Sequence, residues 1–479
     1  MRGSPLPEVA ETFADTKPRH AILFIVDGCR ADTLYNALDD GKMPRLKTLM
    51  ESVGYRRYEK CFTVFPSVTI ACHASLVTGS YPGWHGIVGN NWFIRKKWAP
   101  DNHGRKFYEA TREYVKLSWW HPGSDPGLVN GFMAGTFFSI ANSDLYARAS
   151  TIYEAHDQSS DSPSASVFEV VWRGANRRTF IDQDDIGALL RGVLYDALNW
   201  IYSKITGRPL ISFGKKSLDR KSFQELDKML DVRESKRPGL FVVWVPGMDP
   251  FSHKNSSLLQ PEYFKKRSRW VEKLLGSIDR QFGRLHDALR ERGLLEDTLI
   301  AVTADHGQYP CDSRNTISMT EMYRYLQADP EVSPGETFPL DDDGEIDDNC
   351  EDATVAISQN GGSCHIYVRS NNGWGEAPSP NRLKKFARAF DALGCADKIL
   401  VRHGMTGYKL YEDDEYRELS TLDPEEYPLA EERVNSLAAT LRTGDIMLSA
   451  KSPWYYEGKP MKGEHGSLHR EDSHVPLIF

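Results

Sequence analysis

No apolar run in this chain reaches the roughly 20 residues needed to cross a bilayer. Ala21 to Val26, among the longest, stops at Asp27 and has the length of a buried strand. There is no CxxC pair either. The cysteines, at 29, 61, 72, 311, 350, 364 and 395, are odd in number and widely spaced, which argues against a zinc ribbon or a full disulfide framework. Reduced, mostly buried thiols are the expectation. Positive charge is not in excess: the formal net charge is -8 and Lys and Arg are scattered, so a nucleic-acid duplex is not expected as the main partner. A small phosphorylated molecule stays open. The first 18 residues are polar, with acidic side chains and no apolar segment of the secretory kind. The chain as written reads as cytoplasmic, or as exported if an upstream signal has been removed.

What is present suits a folded protein, since 40% hydrophobic and 26% charged residues are enough to build and solvate a sizeable core. Four segments share a design, a short apolar run ending in polar residues: AILFIVDG at 21–28, LFVVWVPGMD at 240–249, TLIAVTADHG at 298–307 and GDIMLSA at 444–450. Runs of this kind suit strands buried on both faces, as in a parallel sheet covered by helices. Between the second and third, Val271, Leu274, Leu275, Ile278, Phe282, Leu285 and Leu289 recur at helical spacing and predict a crossover helix. The organisation is α/β. In such sheets ligands gather beyond the carboxyl ends of the strands, where Asp27, Asp249 and Asp305 fall.

One domain is expected over 18–479, after an N-terminal extension at 1–17. Two stretches break the pattern and read as insertions over the strand ends: 92–238, Trp-rich with a helical stretch near 186–203, and 310–400, with the acidic loop DDDGEIDD at 341–348. That loop lacks the ligand spacing of an EF-hand and reads as a solvated turn. The final VPLIF is apolar and uncapped, as expected for a chain cut from a longer polypeptide.

Asp305 and His306 follow a strand directly, and His253 follows Asp249 by four residues in DPFSH. Carboxylate oxygen and imidazole nitrogen suit zinc, and a set without thiolates also admits manganese or iron. Either pair alone is weak evidence; placement of both after buried strands strengthens it.

The segment FTVFPSVTIACHASLVTGSYPGWHGIVGN at 62–90 resembles the nucleophile region of the nucleotide pyrophosphatase/phosphodiesterase family and of phosphonoacetate hydrolase, both in the alkaline phosphatase superfamily. Pro-Ser-x-Thr, LVTG at 76–79, Tyr81-Pro82 and HGIVGN at 85–90 carry the likeness; Cys72, where many members have Asn, departs from it, and His73 follows in place. The resemblance implies an alkaline phosphatase-like three-layer sandwich with a mostly parallel central sheet and inserted cap segments. It also implies Thr69 as nucleophile, Asn90 as oxyanion donor, and two divalent metal ions, zinc first with manganese as the alternative. Asp27, Asp305, His306 and Thr69 would hold one ion; Asp249, His253 and His465, in GEHGS, would hold the other. A small phosphorylated substrate is implied as well, a nucleotide among the candidates, cleaved at a phosphodiester or pyrophosphate bond through a phosphothreonine.

Plainer roles stand beside these. Thr69 can be a helix N-cap. Cys72 and His73, adjacent on a helix, point about 100° apart and read as packing rather than a thiol dyad. His85 and His403 read as structural, His365 as a core or pocket histidine, and His469 and His474 compete with His465. Trp92, Trp98, Trp119 and Trp120 read as an insertion's own core or as a base-stacking group. No Cys/Ser-x-Pro-x-Arg motif of a sulfatase occupies 62–75, and the Thr disfavours a phosphomutase. A phosphonate hydrolase, a phosphomonoesterase or a non-catalytic binding module remain the alternatives.

Overall fold

The structure, a computed structural model, describes residues 18–93, 95, 114–116, 142, 144–179, 213–253, 269–347, 352–404, 407–457 and 460–479. The predicted helix at 186–203 and the indoles of Trp98, Trp119 and Trp120 lie outside the described residues.

The strands of the two large sheets are β1 (His20–Val26), β2 (Ser164–Val167), β3 (Arg177–Thr179), β4 (Leu240–Val245), β5 (Thr298–Thr303), β6 (Val355–Asn360), β7 (Ser363–Val368), β8 (Lys398–His403), β9 (Gly407–Glu412), β10 (Glu415–Arg417), β11 (Ile446–Ser449) and β12 (Leu477–Ile478). The first sheet has the order β12-β5-β1-β4-β2-β3. All its pairs are parallel except β12 on β5. Ile25 lies opposite both Trp244 and Thr303, so β1, β4 and β5 end together at one rim.

Helices α1 (Ala31–Asp39), α2 (Thr69–Thr78), α3 (Phe213–Leu230), α4 (Met248–Ser252) and α5 (Arg269–Glu291) serve this sheet. The predicted crossover is α5, and its Leu274, Leu275, Ile278, Phe282, Leu285 and Leu289 are all buried. Phe24 of β1 meets Phe223 of α3 and Phe282 of α5, each at 5.1 Å between ring centroids, which locks both helices to the central strand. Aromatic pairs of this geometry add about 0.5–1.5 kcal/mol beyond burial. Trp92 is wholly buried in this core, consistent with packing.

The second sheet corrects one expectation. GDIMLSA at 444–450 does not join the parallel sheet: its strand β11 is antiparallel to both β7 and β8, in the order β10-β9-β8-β11-β7-β6. Ile446 and Leu448 enter one hydrophobic cluster and Met447 another, so the strand is apolar on both faces because two separate cores cover it. A continuous apolar run reports that both faces are buried, not which sheet buries them. The stretch at 310–400 supplies β6 and β7, part of β8, and helix α6 (Pro380–Leu393) to this layer. Its acidic loop is an exposed turn in which Asp341 Oδ1 accepts the Asp343 and Glu345 N–H groups at 3.0 and 2.9 Å.

The six described cysteines are unpaired, four of them buried. No helix among the described residues is long and apolar enough to cross a membrane.

Candidate active site

Parallel strands that end together deliver the residues past their carboxyl ends into one space: Asp27 comes directly after β1, Asp305 two residues after β5, and Asp249 four residues after β4, in the first turn of α4. Gly28 makes the convergence possible. Its φ is +68°, and a Cβ there would stand 3.0 Å from Asp249 Cα. Two of the carboxylates are half-satisfied. Trp244 Nε1 donates to Asp27 Oδ2 at 2.8 Å, and the Gly28 and His306 N–H groups donate to Asp305 Oδ1 at 3.0 and 2.9 Å. The other oxygens, Asp27 Oδ1 and Asp305 Oδ2, are buried without a hydrogen-bond donor among the described residues.

Thr69 opens α2. The N-cap is Val68, with no side-chain cap bond, so the N-cap reading of Thr69 is corrected: at the first helical position its hydroxyl is free of capping. Thr69 Oγ1 lies 3.1 Å from His306 Nε2, and that nitrogen is 3.2 Å from Asp305 Oδ2 and 3.5 Å from Asp27 Oδ1. The neighbouring group centres on Asp249 Oδ1, 3.1 Å from His253 Nε2 and 3.6 Å from His465 Nε2. The rings of His306 and His465 stack at 3.6 Å between centroids, joining the two groups.

The histidines are oriented alike. Nδ1 of His253, His306 and His465 faces the carbonyl oxygens of Gly463, Gly307 and Ser67 at 2.8, 2.9 and 2.9 Å. Donation there places the ring hydrogen on Nδ1 and leaves the Nε2 lone pair toward the carboxylates, the tautomer a metal ligand needs.

Asn90 sits at the same helix end. Its Oδ1 accepts the Ile70 N–H at 3.0 Å, which turns Nδ2 outward as a donor, and its own N–H donates to Asn360 Oδ1 at 2.7 Å. His469 and His474 lie elsewhere, against Glu426 and the Glu59 carbonyl. His365 is a core residue whose Nδ1 accepts the Gly444 N–H, His85 bonds Ser75, and His403 is exposed. Cys72 is buried against Thr63.

Several residues of the site carry no mark in the sequence. Glu464 and Gln308 flank the Asp249 group, with Gln308 Nε2 donating to Asp249 Oδ1. His73 lies with Nε2 3.4 Å from Asp305 Oδ2. The available signals were its place in the family-like segment and its spacing, because His73 is four residues after Thr69 and shares its face of the helix.

The electrostatics are strained in the direction a cation relieves. Burial, then Asp305 and Asp249, push Asp27 well above the usual carboxylate range. Burial opposes ionisation of Asp305 too, yet His306 and His73 hold it at about 2. Burial alone would lower His253 and His73, but Asp249 acts on one and Glu169 on the other, and each rises to about 10. Burial and then His306 bring His465 down to about 3. Protons held between crowded carboxylates mark where a dication supplies the same compensation. The donor set, carboxylate and imidazole with unpartnered buried oxygens, therefore fits divalent transition metals.

Fold and site together define an alkaline phosphatase-like α/β protein. The sequence model of type I phosphodiesterase / nucleotide pyrophosphatase matches residues 21–472, and the chain belongs to that family. It is 24% identical over 305 residues to an uncharacterized pyrophosphatase/phosphodiesterase of Schizosaccharomyces pombe, covering 63% of this chain and 47% of that one. The chain spans half or less of the length of the curated relatives first matched. Among solved structures it is similar to inactive murine ectonucleotide pyrophosphatase / phosphodiesterase 5 in complex with AMP, with TM-score 0.52, 15% identity and coverage of 97% of this chain and 87% of that one. Phosphonoacetate hydrolase from Sinorhizobium meliloti, in complex with phosphonoformate, is similar with TM-score 0.53, 17% identity and coverage of 96% and 90%.

Proposed function

We propose that this chain hydrolyses phosphodiester or pyrophosphate bonds, with Thr69 as nucleophile between two divalent metal ions. The observation that carries the reading is the Thr69 hydroxyl at a helix N-terminus, 3.1 Å from His306 Nε2 and beside two carboxylates with unpartnered oxygens. Asp27, Asp305, His306 and Thr69 would hold one ion, and Asp249, His253 and His465 the other. Zinc suits the donors best and manganese next. Bound there, the ions would supply Lewis acidity that lowers the hydroxyl pKa and offsets charge on the leaving oxygen.

Thr69 Oγ bonds to phosphorus as the ester or anhydride P–O bond breaks, and its proton passes by way of solvent to the leaving oxygen. Water then attacks phosphorus, its hydroxyl staying there and its other proton going to Thr69 Oγ as the phosphothreonine bond breaks. Asn90 Nδ2 donates to a non-bridging phosphoryl oxygen, with its amide locked by the Ile70 N–H bond, a contribution on the order of 3 kcal/mol for comparable donors. The positive end of α2 favours the same anion.

A nucleotide is the substrate class first in line, in keeping with the AMP held by the murine relative. A phosphonate is the second reading, favoured by the phosphonoformate complex of the bacterial relative. Hydrolysis of bis-p-nitrophenyl phosphate, p-nitrophenyl phosphate and phosphonoacetate, measured in parallel with zinc and with manganese, tests both. Diester turnover above the others is expected; a phosphonoacetate rate above the diester rate favours the second reading, and no turnover of any of them favours a binding module.

A further inference from the structure

His73 and Glu169 form a buried pair that the mechanism above does not use. Both are essentially inaccessible to solvent. Glu169 lies beyond the carboxyl end of β2, so it is a fourth carboxylate at the rim that carries Asp27, Asp249 and Asp305. The chain reaches it through Phe168, whose φ of 58° is a left-handed conformation that strains an aromatic residue. Glu169 then takes His73 Nδ1 at 2.7 and 2.9 Å and the Val171 N–H at 3.2 Å.

That bond places the ring hydrogen on Nδ1 and aims Nε2 into the site. His73 Nε2, Asp27 Oδ1 and Asp305 Oδ2 are three buried polar atoms without a hydrogen-bond partner among the described residues. One ligand atom from each of these three residues lies within 4.8 Å of the others. The Nε2 to Asp305 Oδ2 separation, 3.4 Å, resembles the 3.2 Å between His306 Nε2 and the same oxygen. His73 is also one helical turn from Thr69 on the same face of α2, so the helix that presents the hydroxyl presents this nitrogen too. The ring is braced edge-on against Trp244 at 5.7 Å, the residue that orients Asp27.

We propose that His73 is a further nitrogen donor of the Asp27 and Asp305 centre, with Glu169 as the carboxylate that fixes its tautomer and ring orientation. A carboxylate behind a ligating histidine is the usual outer shell of such sites. The two centres then differ. The first has Asp27, Asp305, His306, Thr69 and His73 available and accommodates coordination above four, whereas Asp249, His253 and His465 leave an open tetrahedral position. The proposal rests on the two-metal reading.

Cobalt(II) titration of the apoprotein separates the two ideas, with bound metal counted by mass spectrometry and the visible d–d bands recorded. Wild type should take up two ions; failure to bind any sinks the two-metal reading itself, independently of His73. In His73→Asn, one ion should bind about 10–100-fold more weakly while the other is unchanged, and the bands should shift and intensify as a donor is lost. Equal affinity in variant and wild type overturns the proposal. So does weaker binding with an unaltered spectrum, because His73 would then only prop Asp305. Glu169→Gln keeps the packing and an acceptor for Nδ1, and provides a folded comparison if His73→Asn is unstable. It should weaken the same ion about tenfold with near-native bands, and unchanged affinity there refutes the role of the pair.

Discussion

Thr69 Oγ1 and His306 Nε2 stand 3.1 Å apart across 237 residues of sequence. One begins a helix and the other follows a central strand, and neither position is altered by local propensity at the other. Their meeting is a property of the parallel sheet, and it makes the chemistry of both residues testable by substitution.

Thr69→Ala removes the hydroxyl and leaves the helix start intact, since Val68 is the N-cap. Turnover of a diester substrate should fall at least about a thousandfold, as for other nucleophile deletions, with thermal stability and metal content near wild type. Activity above a few per cent would show that another group attacks phosphorus.

Asp305→Ala should cost one of two metal ions, because Oδ2 is the oxygen left unpartnered for a ligand while Oδ1 is spent on the Gly28 and His306 N–H groups. Mass spectrometry of dialysed protein checks the stoichiometry. Chelation should abolish turnover and lower the melting temperature in wild type, with zinc or manganese restoring both. A metal present at 100 times its dissociation constant adds about 2.7 kcal/mol to stability.

Gly28→Ala puts a methyl group 3.0 Å from Asp249 Cα at a backbone φ of +68°. The strained conformation costs about 1–3 kcal/mol, and relief by movement of Asp249 should weaken metal binding at the Asp249 centre more than at the other. Denaturant midpoints and metal titration together measure the two effects; a variant as stable as wild type would mean that the turn relaxes freely.

Asp219, wholly buried in α3, accepts the Gly247 N–H at 2.7 Å through Oδ1 while its Oδ2 has no hydrogen-bond partner among the described residues. Burial raises this carboxyl to about 7, and the Gly247 bond lowers it only in part. A carboxyl raised on folding stabilises the native state most below its unfolded pKa, near 4, and that advantage is lost as pH rises through about 7. Wild type should therefore lose stability, on the order of a few kcal/mol, between pH 5 and 8. Asp219→Asn should flatten that decline, as read from urea midpoints at both pH values. Parallel declines in the two proteins would place the ionisation elsewhere.

The apolar runs ending at Asp27, Asp249 and Asp305 and the helical period from Leu274 to Leu289 determined the α/β class. The residues from Pro66 to Asn90 carried the family likeness. These are local signals, because strand burial, helix period and motif spacing are written in consecutive residues. Tertiary structure alone decided that Ile446–Ser449 belongs to a second, antiparallel sheet, since a strand covered on both faces has the same composition in either. It likewise brought His73, Glu169, Trp244, Gln308 and Glu464 to the site. Their residue types are ordinary in the sequence, and their meaning comes from distance and burial: a carboxylate oxygen or ring nitrogen becomes a candidate ligand only when folding removes water and supplies no other partner.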